Sequence, residues 1–300
     1  MQPEYVSIHS RAGRACSRLL SAVLLLVALP VLAGQQSPQP GAELERLARE
    51  GGLPPEELGR RIAQAAWDRD RGFGDFSARI TLYLRRPDGR VVTRKLRTWT
   101  LETPSGDKSI SVFDAPADVK RFARLTWAHE DGQDDQWLYI PKHNRVKRLS
   151  HANDASPFMG TEYANEDLGS QRPEEVGSFT YRFLRLDRCG PQEQARDLTC
   201  FVVERRPVNP YSGYSKQVVW IDTRAFRLWR VDYYDRKGKL LKTQWFNRYQ
   251  QFRDRYWRPM DMLMVNHRTG NSTRVIWSDY RFGNGFSERD FTPENLLHVR

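Results

Sequence analysis

The chain has 300 residues and a formal charge of +11 at pH 7, with 28% charged and 39% hydrophobic residues. A charge of that size favours solubility and contact with anionic surfaces without deciding the fold. Arginine and lysine alternate with aspartate and glutamate along most of the chain instead of gathering beside stacking aromatics, which argues against nucleic acid as a partner.

Arg11, Arg14 and Arg18 form a basic start, and Leu19 to Leu32 is an apolar stretch broken only by Ser21 and Pro30. With small residues up to Ala33, the pattern predicts an export signal at 1–33, cleaved after Ala33. Its 14 apolar-stretch positions fall short of the roughly 20 that a permanent bilayer helix needs. No cysteine directly follows the stretch, so no lipid attachment site is expected, and the predicted location is the periplasm. Loss of three arginines and Glu4 leaves about +9 on residues 34–300.

Residues 34–72 read as a polar tail followed by two short helices. Leu44, Leu47 and Ala48 share one side of the first. Pro54 and Pro55 open the second, whose apolar stripe is Leu58, Ile62, Ala65 and Ala66. From residue 73 onward nearly everything reads as strand. Ala78, Ile80, Leu82 and Leu84 alternate with polar neighbours, Pro87-Asp88-Gly89-Arg90 is a turn, and 91–101 returns as the partner. Further strands are predicted at 108–113, 123–128, 136–140, 146–149, 181–186, 199–205, 216–221, 226–234, 239–249, 256–265 and 273–282. Short turns such as Asp235-Arg236-Lys237-Gly238 make this an antiparallel meander. A single sheet of that many strands curls, so the expected fold is mainly β, a half-open barrel with the short helices on its concave face.

Residues 150–173 break the alternation. They combine Pro, Gly and Asn with Phe158, Met159, Tyr163 and Leu168, and a short helix is expected over 160–168. Two readings stand level: a lid over a pocket, or a plug for the open end of the sheet. Cys189 and Cys200 flank a polar loop between two strands, and a structural disulfide is expected in an oxidising compartment.

No complete catalytic motif is present, and neither a metal site nor a cofactor is expected. His143 and His151 flank a basic segment but read as polar surface. Glu162, Glu166 and Asp167 lie together, with 162 and 166 placed on one helix face; a solvated face or pairing with Arg145 and Arg148 is the expectation.

A longer series of residues is more specific. It runs Val112-Phe113, Pro116-Ala117-Asp118-Val119-Lys120, Leu125-Thr126-Trp127 and Asp134-Asp135-Gln136-Trp137-Leu138-Tyr139-Ile140-Pro141. Phe158-Met159-Gly160-Thr161-Glu162, Val219-Trp220-Ile221-Asp222 and Tyr256-Trp257-Arg258-Pro259 follow in order. Over about 70–300 the chain resembles the outer membrane lipoprotein-sorting protein family, distant relatives of the periplasmic lipoprotein carrier LolA. The resemblance implies a half-barrel closed by helices around a hydrophobic cargo site, and a non-enzymatic carrier of lipid or lipoprotein acyl chains toward the outer membrane. Leu82, Leu84, Trp127, Trp137, Phe158 and Met159 are the expected apolar lining. Arg145, Lys147 and Arg148 are expected to meet an anionic headgroup or an acidic patch on a partner. The alternatives are an accessory subunit of an inner-membrane lipid exporter and a hydrolase using the acidic cluster.

Overall fold

The computed structural model describes residues 40–129, 134–150, 155–169 and 176–298; the export signal read at 1–33 lies outside them. Helices α1 (Pro40–Glu50) and α2 (Pro55–Asp70) come first. Proline is tolerated in the first turn of α2, where its missing N–H would have no helical partner. Glu56 and Glu57 in the same turn face the positive end of the helix dipole. Leu58, Ile62 and Ala66 recur every four residues and are buried.

Thirteen strands follow: β1 (Asp75–Arg85), β2 (Val91–Leu101), β3 (Lys108–Ala115), β4 (Ala123–Trp127), β5 (Asp135–Ile140), β6 (Arg145–Arg148) and β7 (Phe179–Arg188). Then come β8 (Thr199–Pro207), β9 (Tyr214–Asp222), β10 (Leu228–Asp235), β11 (Leu240–Phe252), β12 (Tyr256–Asn266) and β13 (Ser272–Phe282). All join one antiparallel sheet in the order β6-β5-β4-β3-β2-β1-β13-β12-β11-β10-β9-β8-β7, which does not close. The chain therefore starts mid-sheet, walks to one edge, crosses to the other, and returns to pair β13 with β1.

Only the segment between β6 and β7 makes that crossing. Laid flat, a sheet of 13 strands is roughly 57 Å wide at about 4.8 Å per strand. The sheet is far from flat. The Asn165 carbonyl accepts from Arg124 on β4, while Asp167 accepts from the Tyr214 hydroxyl on β9. Two residues of chain thus bridge strands that a flat sheet would hold roughly 38 Å apart. The predicted half-barrel is the architecture found.

Helix α2 lies on the concave side. It packs mainly on β7, and its last residue, Asp70, accepts a 2.5 Å bond from Arg258 of β12. Gly59 permits the close approach: a Cβ there would stand 2.8 Å from the Phe183 nitrogen and 2.9 Å from that of Arg182. On the convex side a second apolar layer forms from Ile110, Val112, Ala123, Leu125 and Tyr139, covered by Phe291 and Leu296 near the C-terminus. The disulfide Cys189–Cys200 closes the β7–β8 loop.

Gly59→Ala is expected to destabilise by about 1–3 kcal/mol, because overpacking against β7 outweighs the roughly 1 kcal/mol gained in helix propensity. Urea unfolding followed by circular dichroism checks this; an unchanged midpoint would show that α2 backs away freely.

Candidate functional site

The concave face carries a cavity of about 80 Å³ beneath the crossing segment. Strand parity sets its lining. Ile80 and Leu82 of β1, Leu96 of β2, Met262 of β12 and Val275 of β13 form an apolar floor. Ser109 and Ser111 of β3 and Arg124 and Thr126 of β4 make a more polar wall. Phe158, Thr161, Tyr163, Asp167 and Leu168 of the crossing segment supply the roof.

The roof is held by cations from the sheet. Arg94 of β2 donates to the Met159 carbonyl, and Arg124 donates to that of Asn165 at 3.2 Å. Lys242 of β11 donates to the Glu162 carbonyl at 2.9 Å and to the Asp167 carboxylate at 2.6 Å. Both ends of the Lys242–Asp167 pair are buried, at 4% and 2% side-chain exposure, and the Ala164 N–H and the Tyr214 hydroxyl also donate to Asp167. A buried ion pair of this kind is stable only when its remaining hydrogen-bonding capacity is met, as it is here. Phe158 lies 5.9 Å from Phe113, with the Arg124 guanidinium over its ring.

The acidic cluster differs from expectation. The segment holds a short 3-10 helix, Asn165–Gly169, so Glu162 precedes it and shares no helix face with Glu166. The acids point into the sheet instead of solvent, and their partners are not Arg145 or Arg148. Glu162 accepts from Asn266 at 2.7 Å, Glu166 from the Gly213 N–H at 2.8 Å, and Asp167 from Lys242. The physical reason is the crossing itself, which presses this stretch against β9, β11 and β12. Burial, with the neighbouring charge of Asp167, raises the Glu166 carboxyl to about 7. Each carboxylate is engaged in holding the roof, an arrangement that fits anchoring better than acid–base chemistry.

Of the expected lining residues, Leu82 and Phe158 line the cavity. Leu84 and Met159 pack at the margin of the same core. Trp127 and Trp137 do not join them. Residues 123, 125 and 127 of β4, and 137 and 139 of β5, share the face of Ile110 and Val112. The two indoles sit 4.7 Å apart in the convex layer, and Trp127 donates to the Phe291 carbonyl at 2.7 Å. Arg145, Lys147 and Arg148 are exposed on the edge strand β6, where Arg148 pairs with Asp135 and stacks on Trp137. The residues missed from sequence are Arg94, Arg124 and Lys242, polar side chains at inward positions of otherwise apolar strands. Among the described residues, no cluster of three His, Cys, Asp or Glu side chains is placed to hold a metal.

An outer membrane lipoprotein-sorting protein domain from Vibrio parahaemolyticus is 42% identical to this chain, with 81% of this chain and 99% of that one covered and a TM-score of 0.75. The chain belongs to the outer membrane lipoprotein-sorting protein family. A DUF1329 family protein from Desulfovibrio piger superposes at a TM-score of 0.74 with 27% identity, covering 81% of this chain and all of that one. A LolA superfamily protein from Nitrosomonas europaea shares the fold, at 0.61 and 20% identity over 78% of this chain and 97% of that one. A family model described as "-like: Uncharacterized protein" matches residues 105–298. No curated protein matches.

Asp167→Asn is expected to cost about 3–5 kcal/mol by stranding the buried Lys242 ammonium, whereas the double variant Asp167→Leu/Lys242→Met recovers most of it. Urea denaturation of the three proteins checks this. Glu166 has a second signature. Its folded pKa is raised from 4.5 to about 7, so its contribution favours folding at low pH and is lost as pH rises through that window. The loss is on the order of 3 kcal/mol. Unfolding free energy measured from pH 4 to 8 is expected to have a shallower fall in Glu166→Gln than in the parent.

Proposed function

We propose that this family member is a periplasmic carrier that binds the acyl chains of a lipid or lipoprotein in the concave face and releases them without chemical change. The observation that carries this reading is the apolar cavity on the concave face, roofed by a segment that polar contacts fasten. A roof bonded in this way has a defined closed state and a defined set of contacts to break. At about 80 Å³ the cavity is smaller than the roughly 150 Å³ space that admits benzene in an engineered protein core. An acyl chain is larger still, so loading requires the 155–169 segment to lift. Cargo then shifts a balance between closed and open forms by its different affinity for each. Delivery toward the outer membrane, the periplasmic location and the non-enzymatic character belong to the same proposal, supported by the Vibrio relative's description as a lipoprotein-sorting domain.

The small cavity also gives weight to a second reading, an accessory subunit of an inner-membrane lipid exporter whose interior its own side chains fill. The two differ in one measurement. Native mass spectrometry of protein purified from its own envelope, with a delipidated sample titrated with a fluorescent fatty acid, is expected to show acyl-bearing adducts and saturable binding. Thr126→Trp, which fills the cavity from its wall, is expected to weaken that binding at least about tenfold while the thermal midpoint holds. Consistently empty protein that binds no acyl probe would select the accessory subunit.

A further inference from the structure

All strands run antiparallel, so alternate connections gather at one end of the half-barrel: 86–90, 116–122, 141–144, 208–213, 236–239 and 267–271. This end is exposed and basic. Arg86, Arg90, Lys142, Lys237, Lys239 and Arg268 all face solvent there. Two of the acids present are committed to turn geometry: Asp235 accepts the N–H groups of Lys237 and Lys239, and Asp88 accepts that of Arg90. At the opposite end the exposed charges are mixed, with Glu193, Asp197 and Asp254 among Arg196, Arg224 and Arg253.

Among the described residues, the same basic end holds six of the eight exposed large apolar residues: Tyr83, Val91, Val92, Val208, Tyr211 and Leu240. Val208, at 59% exposure, and Tyr211 and Val91, each at 52%, protrude furthest. They fall on three connections, Tyr83, Val91 and Val92 on the first, Val208 and Tyr211 on the second and Leu240 on the third, with cations between them, so they form separate points and not one continuous groove. A rigid protein partner is fitted best by a continuous complementary patch. A fluid surface with negative headgroups and an apolar layer just below accommodates scattered cations and short apolar tips together.

We propose that this rim is a docking surface for an anionic phospholipid bilayer. The roof of the cavity meets the same end: Glu166 accepts from Gly213 in the 208–213 connection, and Glu162 from Asn266 beside the 267–271 turn. Docking therefore brings the fastened edge of the roof toward the membrane. The proposal stands apart from cargo loading, because rim contact with lipid headgroups needs no occupant in the cavity.

Flotation of the purified protein with vesicles of phosphatidylcholine, with and without phosphatidylglycerol, tests it. Binding to the anionic vesicles is expected to exceed binding to the neutral ones at least about tenfold, and to vanish near 1 M salt, where the Debye length is about 3 Å. The variant Arg86→Glu/Lys237→Glu/Lys239→Glu/Arg268→Glu is expected to lose at least about tenfold with its circular dichroism unchanged. Val91→Ser/Val92→Ser/Tyr211→Ser, neutral in charge, weakens binding by a smaller factor. Arg196→Glu/Arg224→Glu at the opposite end leaves it intact. Equal binding to both vesicle types, no binding to either, or equal losses from reversals at both ends would overturn the proposal.

Discussion

The buried pair Lys242–Asp167 is the constraint around which the rest of the molecule is arranged. One partner stands on a strand in the second half of the sheet, and the other on the only segment that links the two edges. Two charges leave water here, and their desolvation is offset only because Tyr214, Ala164 and the Glu162 carbonyl complete the hydrogen bonding. Once that pair is in place, Phe158 and Tyr163 are carried into the concavity, the cavity acquires a roof, and strands from opposite halves are held to one curvature.

The fold was largely legible in the sequence because period-2 alternation is a local signal. Each of the 13 strands was expected within a few residues of where it lies, and so were the two helices, the cysteine bridge and the crossing segment. Strand parity in β4 and β5 was less legible. Trp127 and Trp137 sit on apolar-looking positions, yet both faces of this corner are covered, the convex one by Phe291 and Leu296. Nothing local in a strand says which covered face encloses a cavity. The roof anchors were hidden for a related reason, since Lys242 and Asp167 are 75 residues apart and only tertiary folding makes them neighbours. A trace was nonetheless present. Lys242 and Gln244 occupy the inward register of β11 alongside Phe246, and a lysine there requires an acid from elsewhere.

The expected short helix over 160–168 shrank to a 3-10 turn for a similar cause. The segment has more inward obligations than one helical stripe can meet, with Phe158 against Phe113, Glu162 against β12, and Glu166 against the β8–β9 connection. An irregular path lets side chains reach several strands, and Arg94, Arg124, Lys242 and Thr273 of the sheet satisfy backbone groups that a helix would have paired internally.

The central pairing of β1 with β13 bears on how the protein comes into being. Every other strand pairing joins neighbours in sequence, so each half of the sheet is built from local hairpins. Ile80 must wait for Trp277, almost two hundred residues later, before the halves are stitched together. Until that seam closes there are two separate sheet fragments, each with an unpaired central edge, and such edges are sites of aggregation. The most non-local pairing falls to the last strand, which makes β13 the one whose arrival converts two halves into one sheet.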